Sequence, residues 1–200
     1  FNAELWFQFP DEEKYLFKEN LSLEDTEHWT NENMLDVIAL GFNPKKTHFL
    51  IDTRHAGLMY KEAVKVAKRI TFSTVRSTFG FDNENNIGEI FYTAMQAVPA
   101  FLPSIIYKRK IPCLVPLAID QDPHFRISRD VITKLGYYKP GILHCRFLPG
   151  LGGMEKEGKM SASEPQTAIY TIDDEKTVEN KIKKYAFSGG RDTVEEHRKK

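Results

Sequence analysis

Apolar runs of strand length alternate with helix-period segments along this 200-residue chain, and that alternation constrains its fold more than any other feature. Strand signals fall at Leu5–Phe9, stopped by Pro10, and at His48–Ile51, Ile111–Ile119, Ile142–Phe147 and Ile169–Ile172. Ile111–Ile119 reads as a fully buried strand. A helix is predicted from Asp11 to Lys18, with Asp11, Glu12 and Glu13 in the first turn where the helix dipole favours acids. Another runs from Asn31 to Leu40, with Met34, Leu35, Ile38 and Ala39 on one face and Gly41 as C-cap. Further helices are predicted at Leu58–Ile70, Phe72–Phe79, Ile87–Val98, from Asp122-Pro123 to Gly136, at Asp173–Tyr185 and from Thr193. Strands alternating with helices predict an α/β fold with a mostly parallel sheet. Ligands of such sheets sit at the carboxyl ends of strands. Three candidate segments fall there: Gln8–Glu13, Asp120–Asp122 and the loop after Phe147.

Composition narrows the class. With 28 basic and 28 acidic residues, a uniformly basic nucleic-acid binder is excluded, though a local basic patch is not. An apolar content of 41% argues against global disorder. Ile111–Ile119 is too short to span a bilayer and contains Pro112 and Pro116. Two cysteines, Cys113 and Cys145, make no disulfide framework and favour a reducing compartment. No secretory signal opens the chain. Residue 1 is Phe within an apolar run, and residue 200 closes a charged helical segment. The sequence is therefore expected to be an internal portion of a longer protein.

The strongest chemical signal is Pro149-Gly-Leu-Gly-Gly-Met-Glu-Lys-Glu-Gly-Lys-Met-Ser-Ala-Ser-Glu-Pro165. Gly150, Gly152, Gly153 and Gly158 let backbone approach a ligand, and Lys159 is a cation among the hydroxyls of Ser161 and Ser163, which suits a polyphosphate. Three readings compete. Ser161-x-x-Glu164 resembles a capping box, but Pro165 fits that register poorly. Gly153-x-x-x-x-Gly158-Lys159 resembles a P-loop, yet Met160 stands where Ser or Thr should hold magnesium. Lys159-Met160-Ser161-Ala162-Ser163 is similar to the KMSKS signature of class I aminoacyl-tRNA synthetases.

Polar residues inside apolar segments form a second set of candidates. Gln8 interrupts a strand, and Gln96 sits among Met95, Ala97 and Val98. A buried amide without a hydrogen bond costs roughly 1–3 kcal/mol, so both need partners, whether backbone or ligand. Glu13 and Lys14 read as ordinary helix residues or as ligands, and Phe125 as core or as a pocket wall. Asp122 is expected to cap the following helix, leaving Gln121 as the better ligand candidate. Arg126 and Arg129 are expected to pair with nearby acids. His144 and Cys145 lack zinc-site spacing, and no metal site is predicted. Lys181, Lys183, Lys184, Arg191, Arg198, Lys199 and Lys200 form a local basic cluster, either a solvated face or an RNA contact.

Taken in order, Asp11–Lys18, Gly80-Phe81, Met95–Phe101, Ala118–Arg126, Arg129-Asp130, Lys159–Ser163 and Ala186–Arg198 resemble the eukaryotic-type tryptophanyl-tRNA synthetases, over nearly the whole chain. The resemblance implies a Rossmann-like doubly wound catalytic domain over residues 1–172 and the start of a helical anticodon-binding domain over 173–200. It implies activation of tryptophan with ATP and transfer to its tRNA, in a cytoplasmic homodimer with no membrane association. The tyrosyl enzymes are the near alternative and a P-loop NTPase a more distant one. By resemblance, Lys159, Ser161 and Ser163 act on the triphosphate. Gln8, Glu13, Gln96, Gln121 and Phe125 surround tryptophan, while Lys14, Gln121, Gly150, Lys159, Met160 and Ser161 face ATP and its Mg2+. The family's HIGH-type signature is expected upstream of Phe1, and this stretch alone is not expected to be active.

Overall fold

The computed structural model describes residues 3–153, 160, 161, 164–187 and 195. It divides into two compact units, 1–144 and 145–200.

In the first unit, β1 (Leu5–Phe9) pairs in parallel with β2 (Thr47–Ile51), Gln8 standing opposite Leu50. Aromatic side chains hold the pair: Trp6 stacks on His48 at 4.3 Å, and Phe49 meets Phe7 and Phe9 edge-on. Between these strands run α1 (Asp11–Phe17) and α2 (Leu23–Ala39). The chain enters α2 through a capping box: Ser22 Oγ accepts from Asp25 N, and the Asp25 carboxylate accepts from Ser22 N. This box starts the helix eight residues before the predicted Asn31. The predicted apolar face of α2 is not buried, since Leu35 and Ile38 are each 59% exposed. Its buried residues are Thr26 and Thr30, so the helix packs through a different stripe.

Four helices follow β2: α3 (Ala56–Ala67), α4 (Phe72–Phe79), α5 (Ile87–Met95) and α6 (Leu102–Ile106). As its spacing predicts, α3 buries Met59, Ala63 and Val66. Thr71 caps α4, and Gly80 ends it at φ 75°, a left-handed conformation that glycine adopts without strain. The core gathers these side chains with Leu50, Phe101, Leu102, Leu117, Phe125 and Ile132.

β3 (Leu114–Ala118) and β4 (Gly141–Cys145) form a second two-stranded sheet, so the described residues hold two small sheets rather than one wide one. The predicted buried strand Ile111–Ile119 is shorter, and only Leu117 of β3 is buried. Ile111 spends its backbone N–H on Ser104 Oγ at 2.9 Å rather than on a ladder. Beyond β3 lie a 3-10 turn (Ile119–Gln121) and α7 (Asp122–Lys134), which buries Phe125, Ser128, Val131 and Ile132.

In the second unit, α8 (Glu175–Tyr185) is capped by Asp174, which accepts from Thr177 N at 2.7 Å. Ile169–Ile172 is not a strand. Tyr170 N donates to Asp173 Oδ2 and Asp173 N donates back to Tyr170 O, which closes a turn. Lys181, counted above in a basic cluster, is buried against Asp173 at 2.5 Å and lies over the Tyr170 ring, so it serves the fold. The expected helix from Thr193 lies, Glu195 aside, outside the described residues. Among the described residues no helix is long and apolar enough to cross a membrane.

Candidate active site

The carboxyl ends of β1 and β2 lie side by side, because a parallel pair delivers both chains to the same edge. Gln8 points from β1 and Asp52 follows β2. Gln8 Nε2 donates to Asp52 Oδ2 at 2.7 Å and to Gln96 Oε1 at 3.4 Å. Gln96 caps the C-terminal end of α5, and its Oε1 also accepts a short hydrogen bond from the Tyr92 hydroxyl one turn earlier. The tertiary structure thus joins two of the predicted ligand residues through their amides. Each amide finds its partners within the protein and keeps further hydrogen-bonding capacity after these contacts.

The same edge is acidic. Asp11 opens α1 and accepts from Thr53 N at 3.0 Å and from the Thr53 hydroxyl, tying α1 to the segment after β2. Asp52 is fully buried. Burial pushes its carboxyl up to about 7, with the Gln8 amide pulling down and the Asp11 and Glu13 charges pushing up. Glu12 is pushed up to about 9, first by burial and then by the neighbouring Asp52 charge. Glu13 is raised as well, by burial opposed by Lys14, and by Asp120. Asp120 belongs to the 3-10 turn after β3, which also bears Gln121. Burial raises the Tyr92 hydroxyl too, so it stays protonated and donates.

A cavity of about 270 Å³ opens here, lined by Glu12, Leu16, Asp52, Tyr60, Phe91, Tyr92 and Met95 among others. Its aromatic walls and few polar groups have the make-up of a small-molecule pocket. Lys14 is exposed, and Gln121 is half-buried. None of the predicted tryptophan ligands Gln8, Glu13, Gln96, Gln121 and Phe125 is among the residues lining this cavity, and Phe125 is 4% exposed inside the core cluster, where the core reading of that residue describes its surroundings.

Asp122 does not cap α7. It is the first residue of the helix, and its carboxylate is held by Arg126 and lies 2.6 Å from His144 Nε2, contacts that lower its pKa. Arg126 pairs as expected, whereas Arg129 Nε is buried without a hydrogen-bond partner. His124 is half-buried 4.4 Å from the Phe79 ring, and loss of solvent lowers it to about 4, leaving it neutral.

In the second unit, Gly150 is buried and Met160 is 44% exposed. Ser161 N donates to Thr167 Oγ1 at 2.9 Å, and Glu164 N donates to Ser161 O. A 3-10 turn, Pro165–Thr167, follows without a side-chain cap, so Ser161-x-x-Glu164 is a turn and not a capping box. Lys159 and Ser163 lie outside the described residues.

Sequence reasoning missed Asp52, Glu12 and Tyr92 as a working set. Asp52 carried a usable signal, an acid placed directly after a strand. Tyr92 carried a weaker one, its position four residues before Gln96.

The family described as tRNA synthetases class I (W and Y) matches residues 17–199. The chain is 51% identical over 199 residues to tryptophan–tRNA ligase of Saccharolobus solfataricus, covering all of this chain and 50% of that one. It is 48% identical over 200 residues to the Thermococcus onnurineus enzyme, again 100% of this chain and 50% of the relative. The chain therefore spans about half the length of these curated relatives. Among solved structures, Plasmodium falciparum tryptophanyl-tRNA synthetase superposes with a TM-score of 0.85 at 41% identity, over 98% of this chain and 52% of that one. Tyrosyl-tRNA synthetase of Archaeoglobus fulgidus superposes at 0.70 with 24% identity, over 91% and 55%, a likeness of fold alone. With a parallel strand pair presenting polar groups at its carboxyl edge and a family match over nearly its whole length, the chain belongs to the class I tRNA synthetases of the W and Y group.

Proposed function

We propose that this chain is part of a tryptophan–tRNA ligase that activates tryptophan with ATP and transfers it to the cognate tRNA. The observation that carries the reading is the amide pair Gln8–Gln96 at the shared edge of β1 and β2, in a chain about half identical to such ligases from end to end. In the first step a tryptophan carboxylate oxygen bonds to the α-phosphorus, the bond to the bridging oxygen breaks, and pyrophosphate leaves. The protein's part is to position the reactants and neutralise charge. Gln8 takes the indole N–H, Gln96 the carboxylate, and Glu13 and Gln121 the ammonium side. Phe125 supports the pocket from the core. Lys14, Gln121, Gly150 and Met160 face the nucleotide, which brings Mg2+ with it as part of the substrate. Lys159, with Ser161 and Ser163, stabilises the charge growing on pyrophosphate. In the second step the aminoacyl group passes to the terminal ribose hydroxyl.

Residues 1–172 then belong to the catalytic domain, and 173–200 begin a helical domain that reads tRNA, in a cytoplasmic homodimer. The test is amino-acid-dependent exchange of pyrophosphate into ATP by the full-length protein. Tryptophan is expected to drive exchange, and a preference for tyrosine would overturn the assignment. ATP hydrolysis without amino acid, abolished by Lys159→Ala, would favour the NTPase reading instead. Within the ligase reading, Lys159→Ala is expected to lower the exchange rate on the order of 100-fold, with a smaller change in KM for tryptophan.

A further inference from the structure

The hydrogen bonds around Gln8 determine which end of its amide is left without a protein partner. A primary amide has two N–H donors and one carbonyl acceptor. Gln8 Nε2 gives its hydrogens to Asp52 Oδ2 at 2.7 Å and Gln96 Oε1 at 3.4 Å. Its Oε1 has no partner among the described residues. With Asp52 ionised, turning the amide over would set Gln8 Oε1 against the Asp52 carboxylate and the Gln96 carbonyl, leaving acceptor against acceptor twice. Gln96 is oriented in the same chain of bonds. Its Oε1 already receives the Tyr92 hydroxyl and Gln8 Nε2, so the group it has left to offer is its own Nε2, a donor. The network therefore presents one acceptor, on Gln8, and one donor, on Gln96.

We propose that Asp52 is a positioning residue for substrate specificity: by accepting from Gln8 Nε2 it holds the Gln8 carbonyl outward, so that the site selects an aromatic ring carrying an N–H donor. This rests on the proposed function and deepens it. Asp52 itself need not touch the substrate. Its effect travels through Gln8, and its burial keeps water from taking over as the amide's partner.

The test compares tryptophan with its benzothienyl analogue, in which sulfur replaces the indole N–H, in the full-length protein. Wild type is expected to prefer tryptophan in kcat/KM by roughly 10- to 100-fold, because the analogue leaves a buried acceptor unpaired. Asp52→Asn keeps the shape but can offer Gln8 either a donor or an acceptor, so the closer of the two clashes of the turned amide disappears and only the 3.4 Å contact to Gln96 still opposes it. The preference is expected to fall to about 3-fold or less, chiefly through KM for tryptophan. A purely structural loss would lower activity on both substrates alike, and an unchanged ratio in folded D52N would overturn the proposal. A wild-type measurement guards against a variant that does not fold. With both hydrogens bonded, the Gln8 side-chain amide is expected to exchange slowly with solvent in 15N-glutamine spectra, and free exchange would overturn the lock. Absence of any tryptophan binding by wild type would overturn the proposed function as well, which distinguishes the two failures.

Discussion

Glu12 shows how one side chain's surroundings reverse its ordinary chemistry. At the start of a helix an acid is usually stabilised in its charged form, yet burial and the Asp52 charge hold Glu12 protonated to about pH 9. The folded state therefore binds a proton that the unfolded chain releases near pH 4.5. The stability contributed by protonated Glu12 is complete below about pH 4.5 and is lost as pH rises toward 9, by at most about 1.4 kcal/mol per pH unit. Glu12→Gln removes that dependence. The variant is expected to melt higher than wild type at pH 8, with the difference shrinking toward pH 5 in thermal melts across pH. A variant that melts lower than wild type at pH 8 would show that the Glu12 carboxyl is stabilised in its charged form. The roles of Gln8 and Gln96 were partly legible beforehand, since an amide in an apolar segment demands a partner. Which partner it finds was not legible, because Asp52 lies 44 residues from Gln8 and Gln96 lies 88 away.

Helices and turns carried their own signals. The left-handed glycines Gly41, Gly80 and Gly136 lie just past α2, α4 and α7, where a C-cap requires them. The Ser22 box starting α2 went unread, although Ser and Asp stand at capping-box spacing. Ser22→Ala is expected to cost about 1 kcal/mol in chemical denaturation with the slope unchanged. Gly153 stands at φ 81° with Phe187 Cδ1 3.0 Å from where a Cβ would lie. Gly153→Ala is expected to lower the midpoint by a similar or larger amount, since the left-handed backbone alone costs roughly 1–2 kcal/mol. Strands were read less well. Ile169–Ile172 has strand composition, but Asp173 closes a turn on Tyr170 and the segment never pairs. The Leu35–Ile38 face of α2 has helical spacing, yet spacing says only which residues share a face, not whether a neighbour covers it.

Across the whole chain, the α/β class follows from alternation, while the core depends on residues far apart in sequence. Phe101 is 1% exposed and stacks on Tyr137 at 5.0 Å, within the cluster that also holds Leu50 and Ile132. Phe101→Ala is expected to lose about 3–5 kcal/mol in the same denaturation assay, several times the effect of removing the α2 cap. That cluster lies behind the edge bearing Gln96, five residues upstream of Phe101, so the variant is also expected to weaken tryptophan binding in calorimetry.

Local order was therefore a property of the sequence alone. Helix periods, caps, glycine stops and the need of each buried amide for a partner depend on residues a few positions apart, and their physics is the same in any tertiary setting. The tertiary structure decided which distant groups meet. Parallel pairing of β1 with β2 set Gln8 beside Asp52, α5 delivered Gln96 and Tyr92, and burial at that edge raised three carboxyls whose pKa values no spacing could foretell. Desolvation and through-space charge act across distance in space rather than along the chain, and so they appear only once the chain has folded.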